Sequence, residues 1–297
     1  MSKDTEKTGA IPLGHRVENA AVRSLLWLAL RLPFTMRVRM IGWLMQRVVA
    51  PFAGWTKRVQ DNLKKVRPDI GFAERRAIQD QVCDNVGRTL IEIYSGTEFT
   101  ERLDGLMPSG PGAKAFDEAR AAGRPVILAT GHFGNYDAIR GSLYRRGIKM
   151  GALYKPMANK AFNEHYVKAI STVAEPVYPV SRNGIVGLIR HLQQDGVIGI
   201  VIDVFNARGV PLKFFGHDAM TATTAAEWAL KYDALFLPVF GKRLENKIDF
   251  ELVFQEPIAH SDPETMTQEF NDRLEALVRE DMGQWFWIHR RWKMRKT

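Results

Sequence analysis

Residues 126–137 read VILATGHFGNYD and decide how the rest of the chain is interpreted. The apolar run over residues 126–130 predicts a buried strand of a parallel sheet, and the sequence from Asn135 to Arg146 predicts a helix after it. His132 therefore falls in the turn between them, at the carboxyl end of a strand. Ligands bind at that edge of open α/β sheets, which makes this turn the first candidate site.

His132 and Asp137 are five positions apart in this stretch. On one regular helix, side chains with that spacing point about 140° away from each other, so they would not meet. With His132 in the turn and Asp137 in the first helical turn, the carboxylate can fold back toward the imidazole. It would then fix the tautomer and stabilise the imidazolium that forms when His132 takes a proton. The alternative is a histidine at a strand end that bonds to a nearby aspartate for structure alone.

The residues between this pair suit the start of a helix beside a ligand. Asn135 can cap the helix, whose first N–H groups favour negative charge that develops nearby. Gly131 and Gly134 leave room for a substrate to approach the backbone.

The composition points to an acidic partner. The chain has 297 residues, a formal net charge of +9 and a pI near 9.6, so nucleic acid, anionic lipid and an acidic carrier protein are all compatible partners. No nucleic-acid-binding motif stands out, and we expect no nucleic-acid partner. Cys83 is the single cysteine of the sequence, which excludes an intrachain disulfide and a thiolate metal cluster and fits a reducing compartment. We interpret Cys83 as a small core residue.

The amino-terminal part divides into two segments. Residues 1–15 are polar, carry no signal peptide and are predicted to form a flexible tail. Residues 16–60 are predicted to form a helical, membrane-associated arm, in which proline breaks the pattern at Pro33 and Pro51. No run of about 20 apolar residues is present to span a bilayer. Arginines beside Trp27, Trp43 and Trp55 favour a helical hairpin in the bilayer interface. The alternative is a helical pair that packs on the remaining domain and leaves its arginines in solvent.

Residues 61–297 are predicted to form one α/β domain, with a mixed, mostly parallel sheet flanked by helices. A second apolar strand over residues 196–202 ends in Asp203, again at a carboxyl end. Asp203 is predicted to polarise a substrate hydroxyl or to hold a basic group in place; the alternative is an aspartate that caps a loop. Helices are predicted at 72–94, 113–122, 135–146, 158–172, 183–194, 225–232 and 264–282, and further strands at 149–154, 176–180, 234–240 and 249–254.

Four blocks in order resemble one family. Residues 131–137, GHFGNYD, resemble the His-x4-Asp/Glu motif of the bacterial lipid A biosynthesis lauroyl/myristoyl acyltransferases, within the lysophospholipid acyltransferase superfamily. Residues 203–216, DVFNARGVPLKFFG, resemble that family's Asp-Gln/His-Asp…Gly…Val-Pro-Phe-Phe-Gly block, although Val204 replaces the usual polar residue. MTATT at 220–224 resembles its Thr-Thr segment. Residues 284–293, QWFWIHRRWK, resemble its Trp-x-His-Arg-Arg-Trp/Phe-Lys ending. The resemblance covers roughly residues 61–293.

Two departures from the family pattern affect the predicted binding residues. Lys155 stands in Tyr154-Lys155-Pro156 where the family commonly has Tyr-Arg-Pro, and lysine lacks the fork that suits phosphate. The family's Arg-x-Gly element near residues 169–177 is absent, and Arg182 is the candidate replacement.

The family resemblance, together with the local chemistry, implies several further binding residues. Phe214 and Phe215 would line an acyl channel beside the site. Arg290 and Arg291 would contribute a cation cluster for a phosphorylated or acidic partner, with the neighbouring aromatic residues at an interface.

The resemblance implies transfer of a fatty acyl chain from a thioester, on acyl carrier protein or coenzyme A, to a hydroxyl of a phosphorylated lipid A precursor. His132 would take the hydroxyl proton, Asp137 would orient His132, and N–H groups near Gly134 and Asn135 would stabilise the oxyanion. No metal and no cofactor is expected. Anionic inner-membrane lipids would be partners, at the cytoplasmic face of the bacterial inner membrane. Two alternatives are a His-dependent thioesterase or lipid hydrolase, although no Gly-x-Ser-x-Gly elbow is present, and a non-catalytic peripheral membrane-binding protein.

Overall fold

One seven-stranded sheet lies at the centre of the computed structural model, which describes residues 22–157, 159–194 and 196–293, apart from the side chains of residues 160 and 161. The predicted tail and residues 16–21 of the arm lie outside these ranges. In chain order the strands are β1 (Pro108–Ser109), β2 (Val126–Thr130), β3 (Gly151–Tyr154), β4 (Val177–Pro179), β5 (Val197–Val201), β6 (Val210–Phe214), β7 (His217–Thr221), β8 (Leu235–Arg243) and β9 (Phe250–Phe254).

The strand order in the sheet is β1-β9-β8-β2-β5-β3-β4. Its neighbours pair in parallel except β8 and β9, which are antiparallel. Because the parallel strands are joined by helical crossovers, helices cover both faces of the sheet. The prediction of a mixed, mostly parallel α/β sheet flanked by helices is confirmed.

The helices flank this sheet and form the arm. They are α1 (Phe34–Leu44), α2 (Trp55–Val66), α3 (Phe72–Tyr94), α4 (Thr97–Glu101), α5 (Gly112–Ala121), α6 (Tyr136–Arg145), α7 (Lys160–Val173), α8 (Arg182–Gln194), α9 (Thr224–Lys231) and α10 (Pro263–Glu280). Residues 22–29 are also helical. The predicted helix and strand bounds lie within a few residues of these, and the division of the chain into arm and domain stays a prediction.

Two local features differ from the prediction. Pro51 does not break the arm, because α1 continues through a π-helical turn, Met45–Val49, into the short helix Ala50–Phe52. A π-turn frees backbone groups from the regular ladder, which accommodates a proline that lacks an N–H. The segment after Asp203, for which no strands were predicted, forms the antiparallel hairpin β6–β7 outside the main sheet.

The arm packs inward with one side and exposes apolar side chains on the other. Phe34, Val38 and Ile41 are buried in the same core cluster as the first helices of the domain. Arg37 is also buried and paired with Glu98, so this arginine lies neither at the bilayer interface, as the hairpin prediction requires, nor in solvent, as the alternative of a packed helical pair requires. Exposed on the other side are Trp27, Leu28, Met36, Trp43 and Phe52. Across the described ranges, no helix combines the length and the apolar character that crossing a bilayer requires.

Candidate active site

The register of β2 and β5 brings the two strand ends together. Thr130 lies opposite Val201 in parallel pairing, and the Ile202 amide donates to the carbonyl of Thr130 at 2.9 Å. The chain then leaves both strands at the same edge, so His132 and Asp203 become neighbours although they are 71 positions apart. This is the carboxyl edge of the sheet that the sequence predicted as the site.

Asp203 holds His132 in one orientation. The Nδ1 atom of His132 lies 2.8 Å from Oδ1 of Asp203, and the His132 backbone amide donates to Oδ2 at 2.7 Å. Trp285 donates its indole Nε1–H to the same Oδ2 at 2.8 Å. Within the described chain the other ring nitrogen of His132, Nε2, has no hydrogen-bond partner, and it remains as the group that can accept a proton. Of the two functions predicted for Asp203, the geometry matches the one in which it holds a basic group.

Full burial alone would raise the pKa of Asp203. The charge that His132 carries when it is protonated and the hydrogen bonds that His132 donates outweigh burial and hold the pKa well below its ordinary value. The carboxylate therefore stays ionised.

Asp137 does not fold back onto His132, which corrects the predicted pairing. Its buried carboxylate forms an ion pair with Arg140 one helical turn along α6. Arg140 in turn donates to the carbonyls of Ile170 at 3.2 Å and Ala174 at 2.6 Å. A buried carboxylate needs a cation and Arg140 lies closer than the imidazole, so this pair joins α6 to the end of α7.

Gly134 and Asn135 hold the turn but do not offer free N–H groups, which corrects the predicted oxyanion site. The Gly134 amide donates to the Gln284 carbonyl at 3.0 Å and the Asn135 amide to the Gly241 carbonyl at 2.8 Å. Asn135 does cap the helix, since its side-chain oxygen accepts from the Asp137 amide at 2.9 Å. Gly134 has φ of +57°, and a Cβ there would lie 2.0 Å from the Gly241 oxygen, so its requirement is steric.

The carboxyl-terminal segment completes the site. The Phe286 amide donates to the His132 carbonyl at 2.9 Å, and Phe133 forms an antiparallel bridge with Trp285. This contact places the ring of His289 edge-on to the ring of His132, with centroids 4.5 Å apart. The Nε2 atom of His289 is buried and has no hydrogen-bond partner in the part of the chain that the structure describes.

His132, Asp203 and His289 each offer one metal-ligating atom, and these atoms lie within 4.8 Å of one another. The sequence suggested no metal-ligand cluster, because these residues are far apart along the chain. The two oxygens of Asp203 already accept three hydrogen bonds. The contacts in the structure are those of a hydrogen-bonded histidine–aspartate pair, in which Nε2 of His132 stays available.

A cavity of about 940 Å³ opens in front of His132. Its deep part lies against the apolar side chains of Leu128, Met150 and Val239 and the backbone of Gly199, whereas Lys155 and Arg290 line it with exposed cationic side chains. A second cavity of about 320 Å³ reaches the site from the side of the arm. The two cavities share the residues His132, Tyr136 and Tyr166.

Phe214 and Phe215 lie in the core and do not line either cavity, which corrects the predicted acyl channel. Phe214 packs against Trp285 and Trp292, with ring centroids 5.3 and 6.0 Å away, and Phe215 packs against Trp287 at 5.4 Å. Trp285, Trp287 and Trp292 of the carboxyl-terminal motif are therefore buried core and not an exposed interface, whereas Phe286 is half-buried and lines the smaller cavity.

The predicted cations divide into two sets. Lys155 and Arg290 line the large cavity, while Arg182 is exposed at the start of α8 and lies outside that lining. Arg291 is fully buried and donates to the Thr221 hydroxyl at 2.7 Å and the Met220 carbonyl at 3.2 Å. Burial lowers the pKa of Arg291 to about 10. Arg291 therefore stabilises the hairpin β6–β7 and is not available to a phosphate, which corrects the expectation for this residue.

Sequence reasoning missed His289 and two tyrosines as components of the site. His289 lies in the QWFWIHRRWK block, from which only a cation cluster and an aromatic interface were predicted, and a histidine among aromatic residues is the signal that could have identified it. Tyr136 directly follows the helix cap, and burial raises its pKa well above the ordinary value. Tyr166 lies in the middle of α7, and nothing in its local sequence indicated that it would reach the site.

Comparison with known proteins matches this chain over nearly its whole length. The sequence model of the bacterial lipid A biosynthesis acyltransferase family matches residues 17–294. A lipid A biosynthesis acyltransferase of Haemophilus influenzae is 23% identical over 273 residues, which cover 89% of this chain and 84% of that protein. A lipid A biosynthesis lauroyltransferase of Escherichia coli K12 is 24% identical over 282 residues, 91% of this chain and 89% of that protein. The chain therefore belongs to the bacterial lipid A biosynthesis acyltransferase family and is an O-acyltransferase.

Proposed function

We propose that this enzyme transfers a fatty acyl chain from an acyl thioester to a hydroxyl of a lipid A precursor, with His132 as the general base and Asp203 as its partner. The observation that carries the proposal is the bond between Nδ1 of His132 and Asp203 at 2.8 Å, beside a large cavity. That arrangement fixes which ring nitrogen is available to the substrate, and it needs no cofactor.

The chemistry follows from this geometry. With its proton on Nδ1, His132 accepts the hydroxyl proton at Nε2 while the hydroxyl oxygen attacks the thioester carbonyl carbon. Asp203 stabilises the imidazolium that results, since it stays ionised. When the tetrahedral intermediate collapses, the carbon–sulfur bond breaks and the departing sulfur takes the proton from His132. An ester and a free thiol are the products, and His132 returns to its starting state.

The cavity suits an acyl thioester. Its apolar depth, beside Leu128, Met150 and Val239, would hold the hydrocarbon chain away from water, and burial of each methylene contributes roughly 0.8 kcal/mol. Lys155 and Arg290, which are exposed at the cavity, would bind anionic groups of a substrate. These could be the phosphates of coenzyme A, the acidic surface of acyl carrier protein or the phosphates of the acceptor. The positive net charge of the chain favours each of these partners.

The arm would bring this site to a membrane surface. Trp43 is 57% exposed and Phe52 is 91% exposed on the outer side of the arm. The same arm contributes Met45 and Trp55 to the smaller cavity, which reaches His132. Exposed aromatics beside arginines are typical of interfacial helices. A lipid acceptor held in the cytoplasmic face of the inner membrane would then lie next to the base.

Vesicle binding tests the membrane part of this proposal. We expect stronger binding to anionic than to neutral vesicles, reduced binding at high salt, and a marked loss in the double variant Trp43→Ser, Phe52→Ser. Phe72→Ser removes an exposed aromatic outside residues 22–55 and serves as the matched control. Equal binding of the double variant and the control would contradict a membrane role for the arm.

Mass spectrometry of lipids from cells with and without the protein tests the reaction itself. We expect one additional acyl chain on the lipid A precursor with the wild-type protein, and its loss with His132→Ala. The change in mass reports the length of the chain transferred. If the purified, folded His132→Ala variant transfers acyl groups at a nearly normal rate, His132 is not the base.

A further inference from the structure

Acyl transfer needs a donor for the oxyanion, and the backbone groups predicted for this purpose are already used. Attack on the thioester carbonyl moves a pair of electrons onto its oxygen, and preorganised N–H groups aimed at that oxygen are a major source of catalysis. The N–H groups of Gly134 and Asn135 point into the protein and donate to the carbonyls of Gln284 and Gly241. Another donor must lie close to His132.

His289 has the position that such a donor requires. Its ring lies 4.5 Å from the ring of His132, centroid to centroid, and at 77° to it, and both residues line the large cavity. Its backbone is held from two sides, since its amide donates to the Phe286 carbonyl at 3.1 Å and its carbonyl accepts from the Asn62 side chain at 2.9 Å. Its Nε2 atom is buried without a partner among the described residues. A buried polar atom with no partner costs stability, so this one is unexplained by packing.

We propose that His289 is a second catalytic residue, whose neutral imidazole donates its Nε2–H to the thioester oxygen as negative charge develops there. This inference rests on the acyl transfer proposed above. In the first step the oxygen gains the electron pair of the carbonyl bond, and the hydroxyl proton goes to His132. In the second step the pair returns as the carbon–sulfur bond breaks. His289 neither gains nor loses a proton in either step.

Electrostatics keep His289 in the form that this function needs. Burial, with the positive charge of protonated His132 beside it, lowers the pKa of His289 to about 3, although Asp203 opposes this shift. His289 therefore stays neutral even while His132 carries the hydroxyl proton. A neutral imidazole can polarise a carbonyl without competing for that proton. Lys155 and Arg290 are exposed at the cavity, where water screens their charge.

Three substitutions at His289 test the proposal, because they place an N–H donor at the position of Nε2, at the position of Nδ1, or nowhere. In His289→Gln the side-chain amide reaches the place of Nε2, in His289→Asn it reaches only the place of Nδ1, and His289→Phe has no donor. We expect activity in the order wild type, Gln, Asn, with Phe no better than Asn. Loss of one oxyanion donor lowers kcat about 10²- to 10³-fold, whereas the KM for dodecanoyl coenzyme A should change little. His217→Phe replaces a histidine of the hairpin far from the site chemistry and is the control.

Two reactions separate this inference from the proposed function. Each variant is assayed for transfer to a lipid acceptor and, without acceptor, for hydrolysis of dodecanoyl coenzyme A, which passes through the same oxyanion. If wild type transfers acyl groups but Asn equals or exceeds Gln, His289 is not the donor and the function stands. If wild type only hydrolyses the thioester and the order Gln above Asn holds, the donor stands and the acceptor assignment fails. If wild type does neither, both proposals are overturned.

Discussion

Asp203→Asn should abolish most activity while the fold is retained. In the wild type, two N–H groups, the His132 amide and the Trp285 indole, donate to Oδ2, while Nδ1 of His132 faces Oδ1. The asparagine oxygen will take the place of Oδ2, because there it can accept both of these bonds. Its NH₂ group then takes the place of Oδ1 and faces the imidazole as a donor.

That exchange reverses the tautomer of His132. Facing a donor, Nδ1 must become the unprotonated nitrogen, and the ring proton moves to Nε2. Nε2 can then no longer accept the hydroxyl proton, and the lost carboxylate no longer stabilises an imidazolium. The same amide substitution in Ser-His-Asp enzymes lowers kcat about 10⁴-fold, which corresponds to about 5 kcal/mol of activation free energy. The cost to folding should be smaller, about 1.5–3 kcal/mol, the contribution of one hydrogen bond to a charged group.

Steady-state kinetics and nitrogen-15 chemical shifts of His132 check this prediction together. The expected result is a large loss of kcat with the ring proton on Nε2 of the folded variant. Asp218→Asn, in which an exposed aspartate of β7 loses its charge, is the control and should leave kcat unchanged. If Asp203→Asn keeps kcat within tenfold of wild type, or keeps its ring proton on Nδ1, the assignment of Asp203 is wrong.

Three further predictions follow from groups around the site. Asp137→Asn should lower the free energy of unfolding in urea by about 3–5 kcal/mol, since it leaves the Arg140 charge buried and unpaired; kcat per folded molecule should fall far less than in Asp203→Asn. Arg290→Lys should lower acceptor kcat/KM roughly 10- to 150-fold at unchanged stability if it contacts phosphate, whereas Arg291→Lys should mainly lower the melting temperature. The pKa of His289 is about 3 in the folded protein and about 6.5 in the unfolded chain. Between these two pH values the unfolded chain binds a proton at His289 that the folded protein does not bind. The wild type should then lose about 2 kcal/mol of stability from this group between pH 7.5 and 5, and His289→Gln should not.

The sheet and its active edge could be predicted because both depend on local patterns. An apolar run bounded by Gly131 indicates a buried strand, and the uninterrupted run before Asp203 indicates another. The parallel arrangement then fixes which ends of the strands carry ligands. The structure does bring His132 and Asp203 together at that edge, and their functions stay predictions.

The sequence could not show which carboxylate pairs with the histidine, because each carboxylate can pair with any cationic side chain that the fold brings within reach. Asp137 is close to His132 along the chain, but Arg140 lies one turn further on the same helix and forms an ion pair with Asp137. The contact that does form, between His132 and Asp203, joins the ends of β2 and β5. Predicting it requires knowing that these two strands are neighbours in the sheet. The same holds for Arg291, whose burial follows from the packing of the carboxyl-terminal segment against the hairpin β6–β7.

The arm and the carboxyl-terminal segment both reach the surroundings of His132. The carboxyl-terminal segment supplies Trp285 to hold Asp203 and presents His289 to the cavity, while the arm contributes Met45 and Trp55 to the smaller cavity. In the proposed mechanism the sheet positions the base and its partner, and elements outside the sheet would supply the oxyanion donor and the approach from the membrane. Because the two sets belong to different parts of the fold, substitutions in the arm should change the use of membrane-bound acceptor without changing hydrolysis of a soluble thioester. Substitutions at Asp203 should reduce both reactions together.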